Sequence, residues 1–191
     1  MKRIHDFDIV HDGQQMFRLI LSAMSNPLQR KNIRTYAEKL YGNNKSFLAI
    51  AFTLIDNETT FFTFENQILD DNIISLTLSS KECCENADYI FVENAANLKT
   101  AISTAKCGML EDPQKSATII VKIKNEEKTT LTMIGAGIDG SISIETDSLV
   151  EKAIDLRDKM CFEYPTGLDF IFVDENCQLM AIPRLVKKGG K

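Results

Sequence analysis

Apolar residues recur along the chain at two spacings, and the spacing changes part-way. Met16, Leu19, Ile20, Ala23 and Met24 follow one another at helical intervals, which predicts an amphipathic helix over Asp12–Ser25. Asp12 and Gln15 give its start the form of a capping box, and Pro27 lies just beyond its end. Gln29–Tyr41 is polar and basic without a clear period, a connection with a short strand near Asn32–Tyr36. Ser46–Ile55 is apolar on most faces, as expected of a helix buried between layers. Thr59–Phe64 is β-branched and aromatic, hence a strand. Asp71–Leu78 reads as a short helix and Asp88–Val92 as a buried strand. Leu98, Ala101, Ile102 and Ala105 mark a further helix that Gly108 could end.

After Pro113 the pattern turns to β. Ala117–Lys124 and Thr129–Ile134 carry strand composition around the polar turn Asn125-Glu126-Glu127-Lys128, which predicts a hairpin. Ser141–Ile144 alternates at period two. Asp147 or Ser148 opens the last long helix, with Leu149, Val150, Ala153, Ile154 and Met160 facing inward. Leu168–Val173 and Cys177–Ile182 are two closing strands joined across Asp174-Glu175-Asn176. Interleaved helices and strands predict an α/β fold, a mixed sheet flanked by helices, as one domain over residues 1–191.

Composition narrows the classes of function. Of 191 residues, 44% are hydrophobic and 26% charged, ordinary for a globular chain. A net charge of -5 disfavours a nucleic-acid partner, whose backbone is bound by lysines and arginines. No window approaches the ~20 apolar residues of a membrane span. The N-terminal MKRIHDFDIVHDG lacks the apolar stretch of a signal peptide, so a cytoplasmic location is expected. Lys187, Lys188 and Lys191 beside Gly189 and Gly190 predict a flexible basic tail over about 187–191. The five cysteines form no C-x-x-C, and His5 and His11 lie far from them, so no metal site is expected and the thiols read as reduced and mostly buried.

Gly135, Gly137 and Gly140 spell G-x-G-x-x-G after a strand-like run. A dinucleotide fingerprint needs a helix next, so that its N-terminus faces the pyrophosphate. Here Ser141-Ile142-Ser143-Ile144 continues as a β pattern. The acidic residue due about 20 positions on would fall near Asp155–Glu163, a segment read as helix or loop. The favoured reading is a glycine turn between strands. A nucleotide- or NAD-binding enzyme built on Gly135-x-Gly137-x-x-Gly140 is the alternative. No H-E-x-x-H, G-x-S-x-G or P-loop occurs, and no residue is assigned a catalytic role.

Several blocks, weak one by one, occur together and in order. They are H-D-x-Q-x-x-F-R-x-x-L-x-A-M at His11–Met24, an L-x-L-x-D-like stretch at Ala51–Asp56, and Ala87-Asp88-Tyr89. G-x-x-x-x-P-x-x-S-A-T follows at Gly108–Thr118, then G-x-G-I at Gly135–Ile138, Y-P-x-G-x-D at Tyr164–Asp169 and I-P-R at Ile182–Arg184. Through them the chain resembles the PhnH family, the H subunit of the bacterial carbon–phosphorus lyase system. It departs from the family pattern at Pro27-Leu28, where Pro-Gly is common, at Ala136, where a proline is usual, and at Leu185-Val186, where two threonines are frequent.

The resemblance implies a three-layer α/β/α domain, similar to the pyridoxal-phosphate transferases but without a cofactor lysine or any cofactor. It implies a homodimer that joins the G, I and J subunits in a core complex of organic phosphonate catabolism. With the L subunit, that complex attaches an alkylphosphonate to the ribose of ATP or GTP, giving a ribose 1-alkylphosphonate 5-triphosphate. The nucleoside chemistry is ascribed to the I subunit, so the H subunit itself reads as non-catalytic. Ligand- or partner-binding candidates fall in the matching blocks. Arg184 follows a proline at a strand end, where a guanidinium is well aimed for phosphate or carboxylate. Asp169 and Gly167 lie at a strand start, Arg18 projects from the first helix, and Gly135 and Gly137 mark the turn. A fold-stabilising Arg184–Asp169 ion pair is the competing reading, and Arg18 could equally be solvated or ion-paired.

Overall fold

A computed structural model of the chain describes residues 5–160 and 162–189. In chain order its elements are α1 (His11–Ser25), β1 (Lys31–Asn32), α2 (Arg34–Ala37), α3 (Lys45–Leu54), β2 (Thr60–Thr63), α4 (Gln67–Thr77), β3 (Ser80–Lys81), β4 (Tyr89–Val92) and α5 (Leu98–Thr104). Then follow β5 (Thr118–Ile123), β6 (Lys128–Gly135), β7 (Ile142–Asp147), α6 (Ser148–Asp158), β8 (Asp169–Asp174), β9 (Gln178–Ile182) and β10 (Val186–Lys188). Seven strands form one mixed sheet in the order β1-β9-β8-β5-β4-β2-β3. β3, β2, β4, β5 and β8 run parallel, whereas β9 and β1 are antiparallel additions at one edge. β10, β6 and β7 form a second, antiparallel sheet.

The central strands are apolar on both sides, as parallel strands with both faces covered must be. Ile119, Val121, Phe170 and Phe172 point into one core, and Ile120, Ile171 and Val173 into the other. On the second face lie α1, α3 and α4. Five consecutive residues of α3, Phe47–Ala51, are buried there, as its all-round apolar pattern predicts. Removing side chains such as Leu48 and Ile50 from water contributes roughly 1.5–3 kcal/mol each. The first face is covered by α5, α6 and the small sheet, so the third layer is part helix and part sheet.

Several expectations are corrected. The polar turn at Asn125 does not make a hairpin, because both edges of β5 are already paired, with β4 and with β8. β6 therefore leaves the main sheet and pairs with β7. Asn125, with φ 56°, fixes this departure by donating its N–H to Asp147 Oδ2 at 2.6 Å and its side-chain amide to Asp174 Oδ2 at 2.7 Å. Asp12 does not cap α1. The Asp8 carboxylate accepts the N–H groups of Val10 and His11 there, while buried Asp12 pairs with Lys39 at 2.7 Å. α5 ends at Ala105 in an extended ψ, before Gly108 is reached.

The basic run is not a solvated tail where it is described. Val186 is fully buried, and β10 pairs with β6. Lys188 Nζ reaches Glu151 at 2.7 Å and Asp155 at 3.0 Å on α6. Gly190 and Lys191 lie outside the described residues. The thiols are more open than expected: Cys83 is exposed and Cys84, Cys107 and Cys177 are half-buried, while Cys161 is not among the described residues. Among those residues no group of His, Cys, Asp and Glu could hold a metal ion, and no helix is long and apolar enough to cross a membrane.

At the amino end of β4, Asp88 accepts from the Thr60 N–H and hydroxyl, both at 2.8 Å, and from Lys106 Nζ at 2.6 Å. Burial pushes the Asp88 carboxyl up, but the bonds from Lys106 and Thr60 outweigh it and hold it below its ordinary 3.8. A carboxylate so lowered stabilises the fold above its unfolded value and loses that contribution as pH falls through the folded one. Asp88→Asn should therefore lower Tm at neutral pH, and its deficit against the unmodified chain should shrink below about pH 4. Melting curves across that range check this; a deficit independent of pH would refute the ionic account.

Candidate functional site

β8 and β9 pair antiparallel with Phe170 opposite Ile182, which carries Arg184 back to Asp169 at the start of β8. The Arg184 N–H donates to Asp169 Oδ1 at 2.7 Å, and Nε lies 3.1 Å from Oδ2. One terminal nitrogen of Arg184 also donates to Asp169, and the other to the Pro113 carbonyl. Gly167, with φ 144°, passes so close that a Cβ there would lie 3.1 Å from the Arg184 Cβ, and its N–H donates to the Cys107 carbonyl at 3.0 Å. Burial raises the Cys107 thiol, against a smaller opposing pull from Arg184. Three blocks far apart in sequence thus meet around one guanidinium, at the amino edge of β5 and β8.

Beside this pair opens a groove of about 670 Å³ that Arg157, Arg184, Lys187, Met160, Phe162 and Tyr164 help to line. Arg157 is 1% exposed. Its Nε donates to Asp158 at 3.0 Å, its terminal nitrogens donate to the carbonyls of Pro183 and Val186, and it lies over the Phe170 ring at 5.7 Å. Burial pulls its pKa down, opposed by Asp158 and Asp169. The sequence reading missed Arg157 although the signal was there, since 157 continues the inward stripe of Val150, Ala153 and Ile154. Lys187 was missed because it was assigned to a tail.

Gly135 packs against the same segment: at φ 131°, a Cβ would come 2.9 Å from Val186 Cα. Gly137 belongs elsewhere, with its Cβ position 2.9 Å from the Ser25 carbonyl and 3.0 Å from Pro27 Cδ at the end of α1. The glycine run is the β6–β7 turn. A strand follows it and α6 opens only at Ser148, so no helix N-terminus faces these glycines and the dinucleotide geometry is not formed. Arg18 stands exposed on α1, without a hydrogen bond or ion pair to any described residue, and does not line the groove.

Open parallel sheets usually bind ligands at the carboxyl ends of strands that send helices to opposite faces. β2 and β4 are such a pair, followed by α4 and α5 on different faces. The 270 Å³ crevice there is lined by Glu65, Asn66, Glu93, Asn94 and Asn97 among others, and by no cation. Asn66 is occupied, capping α4 through Leu69 N–H and donating to Glu93. The adjoining 680 Å³ cleft brings Lys122, Lys124 and Lys152 to the start of α6, but Asp147 accepts the Leu149 N–H there and Glu127 contacts Ser148. Carboxylates of the chain itself hold the position an anion would take. The groove beside Arg184 is the better candidate.

The family model described as bacterial phosphonate metabolism protein (PhnH) matches residues 5–188. The chain belongs to the PhnH family. A search of curated proteins found no match. The matched span includes every element of both sheets, and it takes in all the blocks around Arg184.

Replacing Arg184 by Ala would leave Asp169 unpaired with its side chain 15% exposed. The expected loss is about 2–4 kcal/mol, with Arg184→Lys in between because it keeps the charge but not the fork. Gly135→Val should cost at least about 2 kcal/mol, since both φ and the Val186 backbone oppose a side chain. Urea unfolding measures both; a change under about 0.5 kcal/mol in either would contradict the packing described.

Proposed function

We propose that this PhnH-family chain is a non-catalytic subunit of the carbon–phosphorus lyase core complex. On this reading it forms a homodimer, joins the G, I and J subunits, and supports formation of ribose 1-alkylphosphonate 5-triphosphate from ATP and alkylphosphonate. It would act in the cytoplasm, where those nucleotides are, as one domain similar to the pyridoxal-phosphate transferases and without a cofactor of its own. The observation that carries the reading is the match across residues 5–188 to a family of bacterial phosphonate metabolism proteins.

Two structural features support a role in assembly. The cation of the best-placed candidate, Arg184, is engaged in tying three loops together. On α1, Phe17 and Leu21 are 49% and 52% exposed on either side of Arg18, an apolar stripe on an otherwise polar face. Exposed aromatic and aliphatic residues beside an arginine are common at the centre of protein interfaces.

Co-expression with the G, I and J subunits should yield a complex that survives purification. Leu21→Asp should weaken the association at least about tenfold while leaving Tm within a few degrees, because the side chain is half in water already. Failure of the unmodified chain to associate would overturn the subunit reading. Unchanged association of Leu21→Asp would remove the α1 stripe from the interface.

A further inference from the structure

We propose that the outer edge of β7 pairs antiparallel with β7 of a second copy of this chain, so that the two small sheets become one. This pairing rests on the homodimer of the preceding reading and supplies its contact. Of the four sheet edges, three are protected. β1 and β3, at the edges of the main sheet, have two residues each. β10 is closed by α6, where Arg157 donates to the Val186 carbonyl and Asp158 accepts the Lys188 N–H at 3.2 Å. β7 has six residues, and 141–144 carry neither charge nor proline. Folded chains usually shorten, charge or cover such an edge, because its free N–H and C=O groups recruit another strand.

The direction of the free groups follows from the pairing with β6. Thr132 and Ser143 stand opposite one another with their hydroxyls 2.7 Å apart. Side chains come closest at the non-hydrogen-bonded positions of an antiparallel ladder, where N–H and C=O point away from the neighbouring strand. The Ser143 backbone groups are therefore turned outward, and those of Glu145, two residues on, lie on the same side. Arg30 agrees with this, since it donates to the Glu145 carbonyl at 3.3 Å from outside the small sheet. That carbonyl keeps a second lone pair for a strand.

Two limits set the register. Thr146 and Asp147 are buried, so the pairing stops at Glu145. A shift toward the β6–β7 turn would set Asp139 opposite the partner's Glu145, and like charges directly opposite are unfavourable. A two-fold contact then centres on Ser143, which faces the partner's Ser143. Ile142 faces the partner's Ile144, and Ser141 faces the partner's Glu145. The polar and apolar positions of 141–145 read alike in both directions, as self-pairing requires. Ile142 and Ile144 are half-buried, and as β-branched pairs they cover one another across the seam. Glu145 meets a serine there and keeps Lys128 of its own chain at 3.2 Å. So short a seam makes a weak, reversible dimer.

Sedimentation velocity of the purified chain over about 5–500 µM tests this, and the unmodified chain should show a concentration-dependent dimer. Ser143→Lys and Ser143→Glu each set like charges against one another at the two-fold axis and should weaken the dimer about fivefold or more. Both alter an exposed side chain and should leave Tm within a few degrees. Mixed in equal amounts, the two variants should recover a dimer at least as tight as the unmodified one, because opposite charges then meet. Monomer throughout the range overturns the proposal, and so do weakened variants that fail to recover on mixing. Variants that dimerise unchanged also overturn it, but leave the homodimer standing on another face. Association with the G, I and J subunits is read in a separate experiment, so a chain that joins them without self-pairing refutes the β7 contact and not the subunit reading.

Discussion

Burial of β4, β5 and β8 on both faces is the constraint from which the rest of the molecule follows. Ile90, Val92, Ile119 and Val121 need cover on one side while Phe91, Ile120 and Ile171 need it on the other. Neither face can be left to water, so α1, α3 and α4 cover one face and α5, α6 and the small sheet the other. Polar chemistry is thereby driven to the two ends of the sheet. At the carboxyl end the Asp174–Asn125–Asp147 chain closes the loops. At the amino end Asp88 with Lys106, and Asp169 with Arg184, do the same.

The small sheet completes the cover that two helices cannot. α5 has seven residues and α6 eleven, and Leu131, Met133 and Val186 fill the space they leave over β8 and β9. Arg157 joins the two halves of that layer, from α6 to the carbonyls on either side of Arg184. A buried guanidinium costs several kcal/mol in lost hydration and persists only with its donors matched. Its partners here are two backbone carbonyls, a carboxylate and an aromatic face, so the position of β10 is specified closely. The groove lies beside this bracing, with Arg157 and Arg184 both in its lining.

Most of the main sheet and its helices could be read from spacing, because amphipathic and all-apolar runs such as Met16–Met24 and Phe47–Ala51 report burial directly. What could not be read depended on neighbours distant in sequence. The turn at Asn125 has hairpin composition, yet β5 has no free edge for β6 to take. Lys187 and Lys188 look like a tail until Val186 finds the core and Glu151 finds Lys188. Asp12 has the right chemistry for a cap, but Lys39, 27 residues on, competes for it and Asp8 takes its place. Of the candidate site residues, Gly167, Asp169 and Arg184 converge because β8 and β9 are paired, and Gly135 joins that segment through the pairing of β6 with β10, whereas Arg18 and Gly137 face other surfaces.

Leu28 shows how a local rule gives way to packing. Where the family pattern commonly has glycine, this chain places a leucine at φ 70°. A left-handed conformation costs a non-glycine residue about 1–2 kcal/mol. The Leu28 side chain is 3% exposed within the core beneath α6 and the small sheet, and that burial contributes roughly 1.5–3 kcal/mol. The second term is the larger, so the backbone strain is tolerated. Gly137 fits tightly against the neighbouring Ser25 and Pro27, where there is no room for the same exchange. The end of α1 is thus held by a leucine that fills space on one side and a glycine that vacates it on the other. The close approach of the β6–β7 turn at Gly137 follows from that pairing.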